Sequence, residues 1–517
     1  MLERASGPDA RRRLGAWDTP RPLADALCSL ALEELGRRPE LVLDPTCGTG
    51  HFLVAAADRL LADGLTPGQV CERLVGIDVD PGAVASARAS LAAWAHRNGA
   101  DPRTADAADL RVGDALGAPL ADLIGRIDLV VGNPPFLAQT ASATARDAAA
   151  RSALRDRFGD LGPYADTAGL FLLASLELLR DGGVSMMVQP ASFLAARDAA
   201  GVRSRVLEAA GLVALWGSDE LHFDAAVHVC APVVRVGAAR PGRVRVLWGG
   251  GLSPVSAVPT PESDASWGPL LAAPAGIPVV AGPPATAFHV ESLAATTAGF
   301  RDEFYALAAA AREPGEAGHD EAAPQLVTVG MIDPARSSWG VRPHRLGGRS
   351  VVAPRLDRDS LAAGAPQVAD WVRRRLRPKL LVATQTRVLE AVVDEAGRWV
   401  PVTPVVSVEP HDPADVWRLL AALCSPSVAA RMAAEHLGSG RSPGTLRCSA
   451  AALARVPLPI DQAAWERGAL LARRVTDADG GTRGDLLRRL GRTMCEAHGV
   501  PADEDLLGWW LERAART

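Results

Sequence analysis

The sequence predicts an α/β protein whose first half forms a parallel, doubly wound sheet. From residue 22 onward, short apolar stretches typical of buried strands alternate with stretches of about 10 to 18 residues that are typical of helices. Proline and glycine stand at the expected helix ends, as at Pro81 and at the pair Gly182 and Gly183. Strands that are separated by helices in this way form parallel sheets covered by helices.

The alternation can be followed element by element. The predicted order is helix LADALCSLALEELGRR, strand ELVLDP, helix AAADRLLADGL, strand RLVGIDVD, helix PGAVASARASLAAWAHRNG, strands ADLRVGDAL and IDLVVGNPP, helix FLLASLELLRDGG and strand VSMMVQPASFL. Two of these strands, RLVGIDVD and IDLVVGNPP, run directly into polar residues. Those residues are therefore candidates for function.

The chain of 517 residues is too long for one compact core, so two or three domains are expected. We predict a doubly wound domain over residues 1–245, a linker over 246–290, a mixed α/β domain over 291–460 and a helical tail over 461–517. The linker prediction rests on a run that is rich in glycine and proline and lacks periodicity.

The charge balance excludes a chain that coats nucleic acid by bulk charge, because 55 basic residues stand against 60 acidic ones. Residues 331–460 are different: they contain 18 basic and 11 acidic residues, a net charge of +7. This basic module fits a domain that reads a polyanion, although a solvated arginine-rich surface remains an alternative from charge alone.

The composition also predicts the compartment. The N-terminal segment contains no apolar stretch that could serve as a signal peptide, and no uninterrupted apolar run approaches the 18 residues of a membrane span. Its seven cysteines are dispersed and form no CxxC pair, which argues against a disulfide framework and against a structural zinc site. We therefore expect a cytoplasmic protein without a bound metal.

A glycine loop follows the first predicted strand, in LVLDPTCGTGHFL (41–53). Gly48 and Gly50 would let the backbone approach a ligand at the N-terminus of a helix. Asp78, at the tip of the second strand, is placed to accept hydrogen bonds from a ribose diol, and Asp114 is placed to accept one from an adenine amino group. Because the sequence has no P-loop, these residues predict a nucleoside ligand without a triphosphate.

The motif IDLVVGNPPF (127–136) indicates the chemistry. Two consecutive prolines fix the backbone and remove two N–H donors. The side-chain oxygen of Asn133 and the carbonyl oxygen of Pro134 can then accept both hydrogens of one amino group. These two hydrogen bonds favour a pyramidal amine that can attack an electrophilic methyl group. Phe136 would stack on the ring that carries the amine.

In this order, the motifs resemble those of the γ-class N6-adenine DNA methyltransferases, which use S-adenosylmethionine. The resemblance covers residues 15 to about 235 and implies a Rossmann-like fold. In GAWDTP (15–20), similar to the family's N-terminal motif, Asp18 stands where tyrosine is usual, and Thr19 would contact the methionine part of the cofactor. The cofactor-binding residues that the resemblance implies are Thr19, Asp44, Thr46, Gly48, Gly50, Asp78 and Asp114. The catalytic residues that it implies are Asn133, Pro134, Pro135 and Phe136.

The resemblance also implies residues that contact DNA. In LHFDAAVHVCAPVV, Phe223 would be a second aromatic side chain on the flipped adenine, with an ordinary core phenylalanine as the alternative. The mixed domain (291–460) looks like the target-recognition domain of type IIG-like enzymes and related defence-system methylases. The weak candidates for contacts with DNA phosphates are Arg373, Arg374, Arg375, Arg377 and Lys379, for each of which a solvated helix face is as good an explanation.

The fused type IIG enzymes also carry a nuclease, whose common site needs a lysine two residues after an acid. Lys379 is the sole lysine of this sequence and follows Arg377 and Pro378. We therefore expect modification of double-stranded DNA without cleavage.

Three other interpretations stay open. A protein-glutamine methyltransferase and an RNA N6-adenine methyltransferase use the same Asn-Pro-Pro chemistry, and a catalytically silent recognition subunit would bind DNA only. The sequence also leaves open partner subunits of a restriction-modification or phage-defence system.

Overall fold

The computed structural model describes residues 19–117, 120–136, 152, 154, 156–159, 166–223, 227–237, 241–262, 265–282, 284, 287–440 and 444–514. The chain divides into two compact units, Met1–Ala275 with Leu437–Ser439 and Gly276–His436 with Gly440–Thr517. Among the described residues, no helix combines the length and the apolar character needed to cross a membrane.

The first unit is built on a ten-stranded sheet. Its strands are β1 (Val42–Asp44), β2 (Leu74–Asp78), β3 (Asp109–Val112), β4 (Ile127–Gly132), β5 (Leu179–Met187), β6 (Gln189–Pro190), β7 (Ala210–Gly217), β8 (Val229–Val236), β9 (Arg243–Trp248) and β10 (Ser253–Pro259). Its helices are α1 (Arg21–Leu35), α2 (His51–Ala62), α3 (Pro67–Cys71), α4 (Pro81–Arg97), α5 (Thr167–Leu178) and α6 (Ala200–Ala209).

The strand order is β10-β9-β7-β8-β5-β4-β1-β2-β3, with β6 paired to β8. β1 pairs in parallel with both β2 and β4, so the chain proceeds to one side through β2 and β3 and to the other through β4 and β5. The predicted α/β class is confirmed. The sheet is nevertheless mixed, because β8 runs antiparallel to β5 and β7 and β10 runs antiparallel to β9.

Helices cover both faces of this sheet. Val42 contributes to an apolar cluster with α1, α2 and α4, whereas the next residue, Leu43, contributes to a second cluster with α5 and α6. This alternation follows from the two-residue side-chain period of a strand that is buried on both faces. The arrangement leaves the ends of the strands as the places where ligands can reach the sheet.

Two predicted boundaries differ in the structure. The helix predicted to run through Gly183 ends at Leu178, because Leu179 already pairs with Ile127 of the neighbouring strand. The predicted linker (246–290) is ordered in its first part, where β9 pairs in parallel with β7 and β10 extends the sheet. The division between the two units falls after residue 275, within the segment predicted as a linker.

The second unit contains short strands and a helical C-terminal part. Its strands are β11 (Ala294–Ala298), β12 (Ala311–Arg312), β13 (Gln325–Val327), β14 (Ile332–Asp333), β15 (Arg336–Ser337), β16 (His344–Leu346), β17 (Arg349–Val351), β18 (Arg355–Leu356), β19 (Lys379–Ala383), β20 (Gln385–Thr386), β21 (Glu390–Asp394), β22 (Trp399–Pro401), β23 (Val406–Pro410) and β24 (Leu446–Arg447). Its helices are α7 (Arg301–Ala309), α8 (Arg358–Gly364), α9 (Pro366–Arg375), α10 (Val416–Leu423), α11 (Pro426–Glu435), α12 (Ala450–Ala454), α13 (Gln462–Asp477), α14 (Gly480–Ala497) and α15 (Glu504–Ala514).

Two four-stranded sheets organise this unit, with the orders β11-β23-β19-β21 and β12-β18-β13-β22. The predicted helical tail (461–517) is part of the same compact unit. Trp465 of α13 donates a hydrogen bond from Nε1 to the carbonyl oxygen of Arg418 at 2.7 Å, and Leu507 and Trp510 of α15 are buried. These apolar residues therefore belong to the core of the second unit.

Candidate active site

The carboxyl edge of the first sheet collects the polar residues that the sequence singled out. The strand order reverses between β1 and β4, and ligands of doubly wound sheets bind at the carboxyl ends of strands where such a reversal occurs. Asp44 ends β1, Asp78 ends β2 and Asn133 follows β4 directly. The topology therefore brings these three residues to one edge.

The loop between β1 and α2 is fixed by backbone hydrogen bonds. The N–H of Cys47 donates to the carbonyl oxygen of Ile77 at 2.9 Å, and the N–H of Gly50 donates to that of Cys47 at 2.7 Å. Gly48 and Gly50 have φ values of 50° and 88°, in the left-handed region that favours glycine. A Cβ atom on Gly50 would lie 3.1 Å from Cα of Ala87, so α4 also restricts this position.

Asp78 connects β2 to this loop. Its Oδ2 accepts a hydrogen bond from the N–H of Gly48 at 2.9 Å, and its Oδ1 accepts one from the N–H of Asp80 at 2.9 Å. Burial raises the pKa of the Asp78 carboxyl. Asp80 instead caps α4, since its Oδ1 accepts the N–H of Gly82 at 2.8 Å. This geometry favours Asp78 over Asp80 as the residue that faces a nucleoside.

Two valines that sequence reasoning missed lie beside the acids. Val79 and Val112 are 63% and 56% exposed, and Val112 is the register partner of Asp78 across β2 and β3. Asp114 follows β3, and its Oδ1 accepts the N–H of Leu116 at 3.0 Å. Exposed apolar side chains next to carboxyl groups suit a planar base whose edge is polar. The signal in the sequence was an apolar residue at each strand tip, but its exposure depends on neighbouring strands.

The N-terminal motif is described only from Thr19, and residues 15–18 lie outside the described part of the chain. Thr19 is buried, and its carbonyl oxygen lies 2.6 Å from Nδ1 of His51, the first residue of α2. Because His51 follows Gly50, this contact places Thr19 next to the glycine loop.

The Asn-Pro-Pro-Phe segment leaves the sheet between β1 and β5. The carbonyl oxygen of Gly132 accepts a hydrogen bond from the N–H of Val188 at 3.0 Å, which holds the end of β4 against β5. Asn133 and Pro135 are half-buried, and Pro134 is buried. The position that a Cβ atom of Gly132 would occupy is 2.8 Å from Oδ1 of Asp44. The carboxyl group of Asp44 therefore lies against Gly132, the residue that precedes Asn133.

Phe136 and Phe223 are associated with the same apolar cluster. Phe223 is a buried member of the cluster that α1, α2 and α4 form with the sheet, and the half-buried Phe136 packs against that cluster. The loop that carries Phe223 joins β7 to β8 at the carboxyl edge. The structure thus brings both aromatic residues to the side of the sheet that carries the glycine loop, and their role in base stacking stays a prediction.

The candidate phosphate contacts of the second unit do not form one exposed group. Lys379 is fully buried, and its Nζ donates to Oδ2 of Asp394 at 2.6 Å, so it does not reach a phosphate. Arg375 is largely buried, lies over the ring of Trp371 and is paired with Glu409 at 3.3 Å.

The other three arginines of the set are exposed. Arg377 is paired with Glu409 at 2.5 Å, and Arg373 is paired with Asp370. Arg374 stands on the exposed face of α9. Arg373 and Arg374 therefore remain the best candidates for phosphate contacts.

We expect Gly132→Ala to weaken cofactor binding at least tenfold. Since the new Cβ atom would lie 2.8 Å from Oδ1 of Asp44, either the carboxyl group or the end of β4 must move. Binding of the cofactor analogue S-adenosylhomocysteine, followed by calorimetry, measures the effect. Gly242→Ala is the matched control, because no heavy atom lies within 4 Å of its new Cβ atom. Equal affinities of the two variants would contradict the proposed packing at the site.

A doubly wound sheet with these motifs at its carboxyl edge defines a Rossmann-like methyltransferase domain. Residues 4–235, somewhat less than half of the chain, match the family model described as N-6 DNA Methylase.

Two solved structures resemble the whole chain in fold. The type IIL restriction-modification enzyme MmeI, solved in complex with DNA, matches with a TM-score of 0.61 at 11% identity, over 99% of this chain and 80% of that chain. A DrdV–DNA complex matches with a TM-score of 0.54 at 12% identity, over 92% of this chain and 58% of that chain. At these identities the likeness concerns the fold.

Proposed function

We propose that this protein transfers a methyl group from S-adenosylmethionine to the N6 amino group of an adenine in double-stranded DNA, at a specific sequence. The observation that carries this proposal is the convergence of the glycine loop, Asp78 and Asn133 at one edge of the sheet. The match of residues 4–235 to the N-6 DNA methylase family model supports the same reaction.

The residues at this edge fit the proposed cofactor. Asp78 offers carboxylate oxygens to a ribose diol while the glycine loop holds the carboxyl group in place through Gly48. Val79 and Val112 present exposed apolar surface for the adenine ring, beside Asp114. The buried Thr19, whose carbonyl oxygen contacts His51 next to the glycine loop, would approach the methionine part. S-Adenosylmethionine, when bound, supplies an electrophilic methyl group.

Asn133 and Pro134 act on the target amine. The amide oxygen of Asn133 and the carbonyl oxygen of Pro134 each accept one hydrogen of the amino group, which localises the nitrogen lone pair. Because β4 is held on both sides by β1 and β5, these acceptors are fixed before the substrate arrives. Preorganised polar groups of this kind favour the charge that develops in the transition state.

Reaching the amine requires the adenine to leave the duplex, because the site is at the end of a covered sheet. Phe136, and Phe223 on the neighbouring loop, would contact the extruded ring and offset part of the lost base stacking. The second unit would then hold the rest of the duplex and recognise the sequence around the target. In support, MmeI and DrdV were both solved in complex with DNA.

The test is modification-sensitive long-read sequencing of genomic DNA from a methylation-free host that expresses the chain. We expect N6-methyladenine in one sequence context. Unmethylated DNA together with a folded protein that binds S-adenosylmethionine would contradict DNA as the substrate of the chain acting alone. The same protein should then be assayed with RNA, with protein substrates and with candidate partner subunits.

In the second unit we expect the double variant Arg373→Ala/Arg374→Ala to weaken binding to all DNA sequences by a similar factor. Loss of phosphate contacts should lower the slope of log affinity against log salt by about 1 to 2. The control is Arg467→Ala/Arg492→Ala. These two arginines are exposed like Arg373 and Arg374, and each is ion-paired with a glutamate. Fluorescence anisotropy with a labelled duplex measures both, and an unchanged salt slope in the first variant would remove these arginines from the interface.

A further inference from the structure

Two aspartates are fully buried in the first sheet, but their carboxyl groups have very different partners. Asp128, near the start of β4, forms ion pairs with Arg37 and Arg180 and accepts the backbone N–H groups of Glu40 at 2.7 Å and Leu41 at 3.1 Å. Asp44, at the end of β1, accepts the N–H of Thr46 at 3.0 Å. Within the described part of the chain, no arginine, lysine or histidine forms an ion pair with Asp44.

The titratable groups that face Asp44 do not compensate it either. Asp78 of β2 is an acid, and Cys47 of the glycine loop and Cys28 of α1 are buried thiols. Burial, and to a smaller extent the negative charge of Asp78, raise the pKa of Asp44 to about 8, although the N–H and the hydroxyl of Thr46 favour the carboxylate. A buried carboxyl group without a cation holds its proton, because ionisation in the interior is costly.

The proposed cofactor, which carries a sulfonium and an ammonium group, would supply the positive charge that the described residues do not place beside Asp44. Asp44 ends β1, next to the point where the strand order reverses. Its carboxyl group lies against Gly132, the residue before the catalytic segment, at the edge of the sheet where that cofactor would bind. We propose that Asp44 holds a proton in the free enzyme and releases it when a positive charge of the cofactor binds, so that this residue selects for the cationic ligand. The inference rests on the proposed function and adds the role of one residue in it.

The coupling between proton release from Asp44 and cofactor binding determines how the affinity for the cofactor depends on pH. A ligand that needs the ionised carboxyl group must first displace the proton at any pH below the pKa of about 8 in the free enzyme. If the sulfonium is the responsible charge, the affinity for S-adenosylmethionine should rise with pH and level off above that pKa. If it is the ammonium, which loses its proton near pH 8, the affinity should rise to a maximum near pH 8 and then fall. For the sulfonium, the expected gain between pH 6.5 and pH 8.5 is about 25-fold, since the ionised fraction of a carboxyl group with a pKa of about 8 rises from about 3% to about 76%.

Isothermal titration calorimetry of the full chain tests the proposal at pH 6.5, where the cofactor's own amino group is fully charged. Titration in buffers of different ionisation enthalpy gives the number of protons released per ligand. We expect close to one proton for the native protein and close to none for Asp44→Asn, whose amide has the shape of the protonated carboxyl group. The affinity of Asp44→Asn should fall below that of the native protein at pH 8.5 and converge with it as the pH falls.

Three ligands identify which charge is responsible. S-Adenosylmethionine carries both positive groups, S-adenosylhomocysteine carries the ammonium alone, and 5′-methylthioadenosine carries neither. Proton release with the first ligand alone assigns the sulfonium, and release with the first two assigns the ammonium. Equal release with 5′-methylthioadenosine would overturn the proposal, because the proton would then leave without a cation.

Asp80→Asn is the second control, because Asp80 is a neighbouring acid that caps α4 instead of facing the proposed ligand. We expect this variant to keep the proton release, and a release that persists in Asp44→Asn would overturn the assignment. An affinity of the native protein that is flat from pH 6.5 to pH 8.5 would also overturn it, whether or not Asp44→Asn folds. Failure of the folded native protein to bind any of the ligands would instead count against the proposed function.

Discussion

Asn133→Ala is expected to abolish N6-adenine methylation while S-adenosylmethionine still binds with near-native affinity. The substitution removes one of the two acceptors that hold the target amine and leaves the glycine loop and Asp78 unchanged. Loss of one preorganised polar contact of this kind typically lowers kcat by about 10²- to 10³-fold. Single-turnover transfer of labelled methyl groups to an unmethylated duplex that contains the recognition sequence measures the effect.

The control variant is Asn133→Asp, which has nearly the same size and keeps an oxygen acceptor. We expect its rate to lie between those of the native protein and Asn133→Ala. A structural role for Asn133 would instead change cofactor affinity and thermal stability, because the side chain is half-buried at the end of β4. Equal rates of the native protein and Asn133→Ala would exclude Asn133 from the reaction.

The candidate site was largely predictable from sequence because its motifs are local. Asp44 and the glycines are separated by a few residues, and a buried strand followed by a glycine turn forms one βα unit in nearly any surroundings. The same argument explains why Asn133 could be placed at the end of a strand. Val79 and Val112 could not be found in this way, since their exposure depends on how β2, β3 and the following turns pack.

Features that depend on distant pairing were not predictable. Lys379 stands in an arginine-rich stretch that looks like a surface, yet its register partner across β19 and β21 is Asp394. Asp394 lies 15 residues farther along the chain. Because Lys379 forms a buried ion pair with it, Lys379 is not available as a phosphate contact. Likewise, β9 ends in the segment whose composition suggests a linker and β10 lies within it, and the place of β9 beside β7 depends on hydrogen bonds between segments that are far apart in sequence.

We expect Asp128→Ala to lower the free energy of unfolding of the first unit by about 2 to 4 kcal/mol, since the loss of a hydrogen-bond acceptor costs about 1 to 3 kcal/mol for each partly buried N–H group that it leaves without a partner. The substitution leaves the N–H groups of Glu40 and Leu41 without their acceptor at the junction between α1 and β1. Arg37 and Arg180 are about one-third exposed and can turn toward water, so the larger part of the cost comes from the backbone groups.

Urea unfolding followed by circular dichroism measures this effect on the transition of the first unit. The matched control is Asp122→Ala, which removes an aspartate that is also paired with an arginine but is more than half exposed. Exposed pairs contribute about 0 to 1 kcal/mol, so the control should unfold close to the native protein. Equal destabilisation by the two substitutions would show that Asp128 does not hold this junction.

Because Asp128 stands at the opposite end of β4 from Asn133, Asp128→Ala should lower stability while the fraction that remains folded methylates at the native rate. Asn133→Ala should do the reverse, and the pair separates what β4 does for the fold from what it does for the reaction.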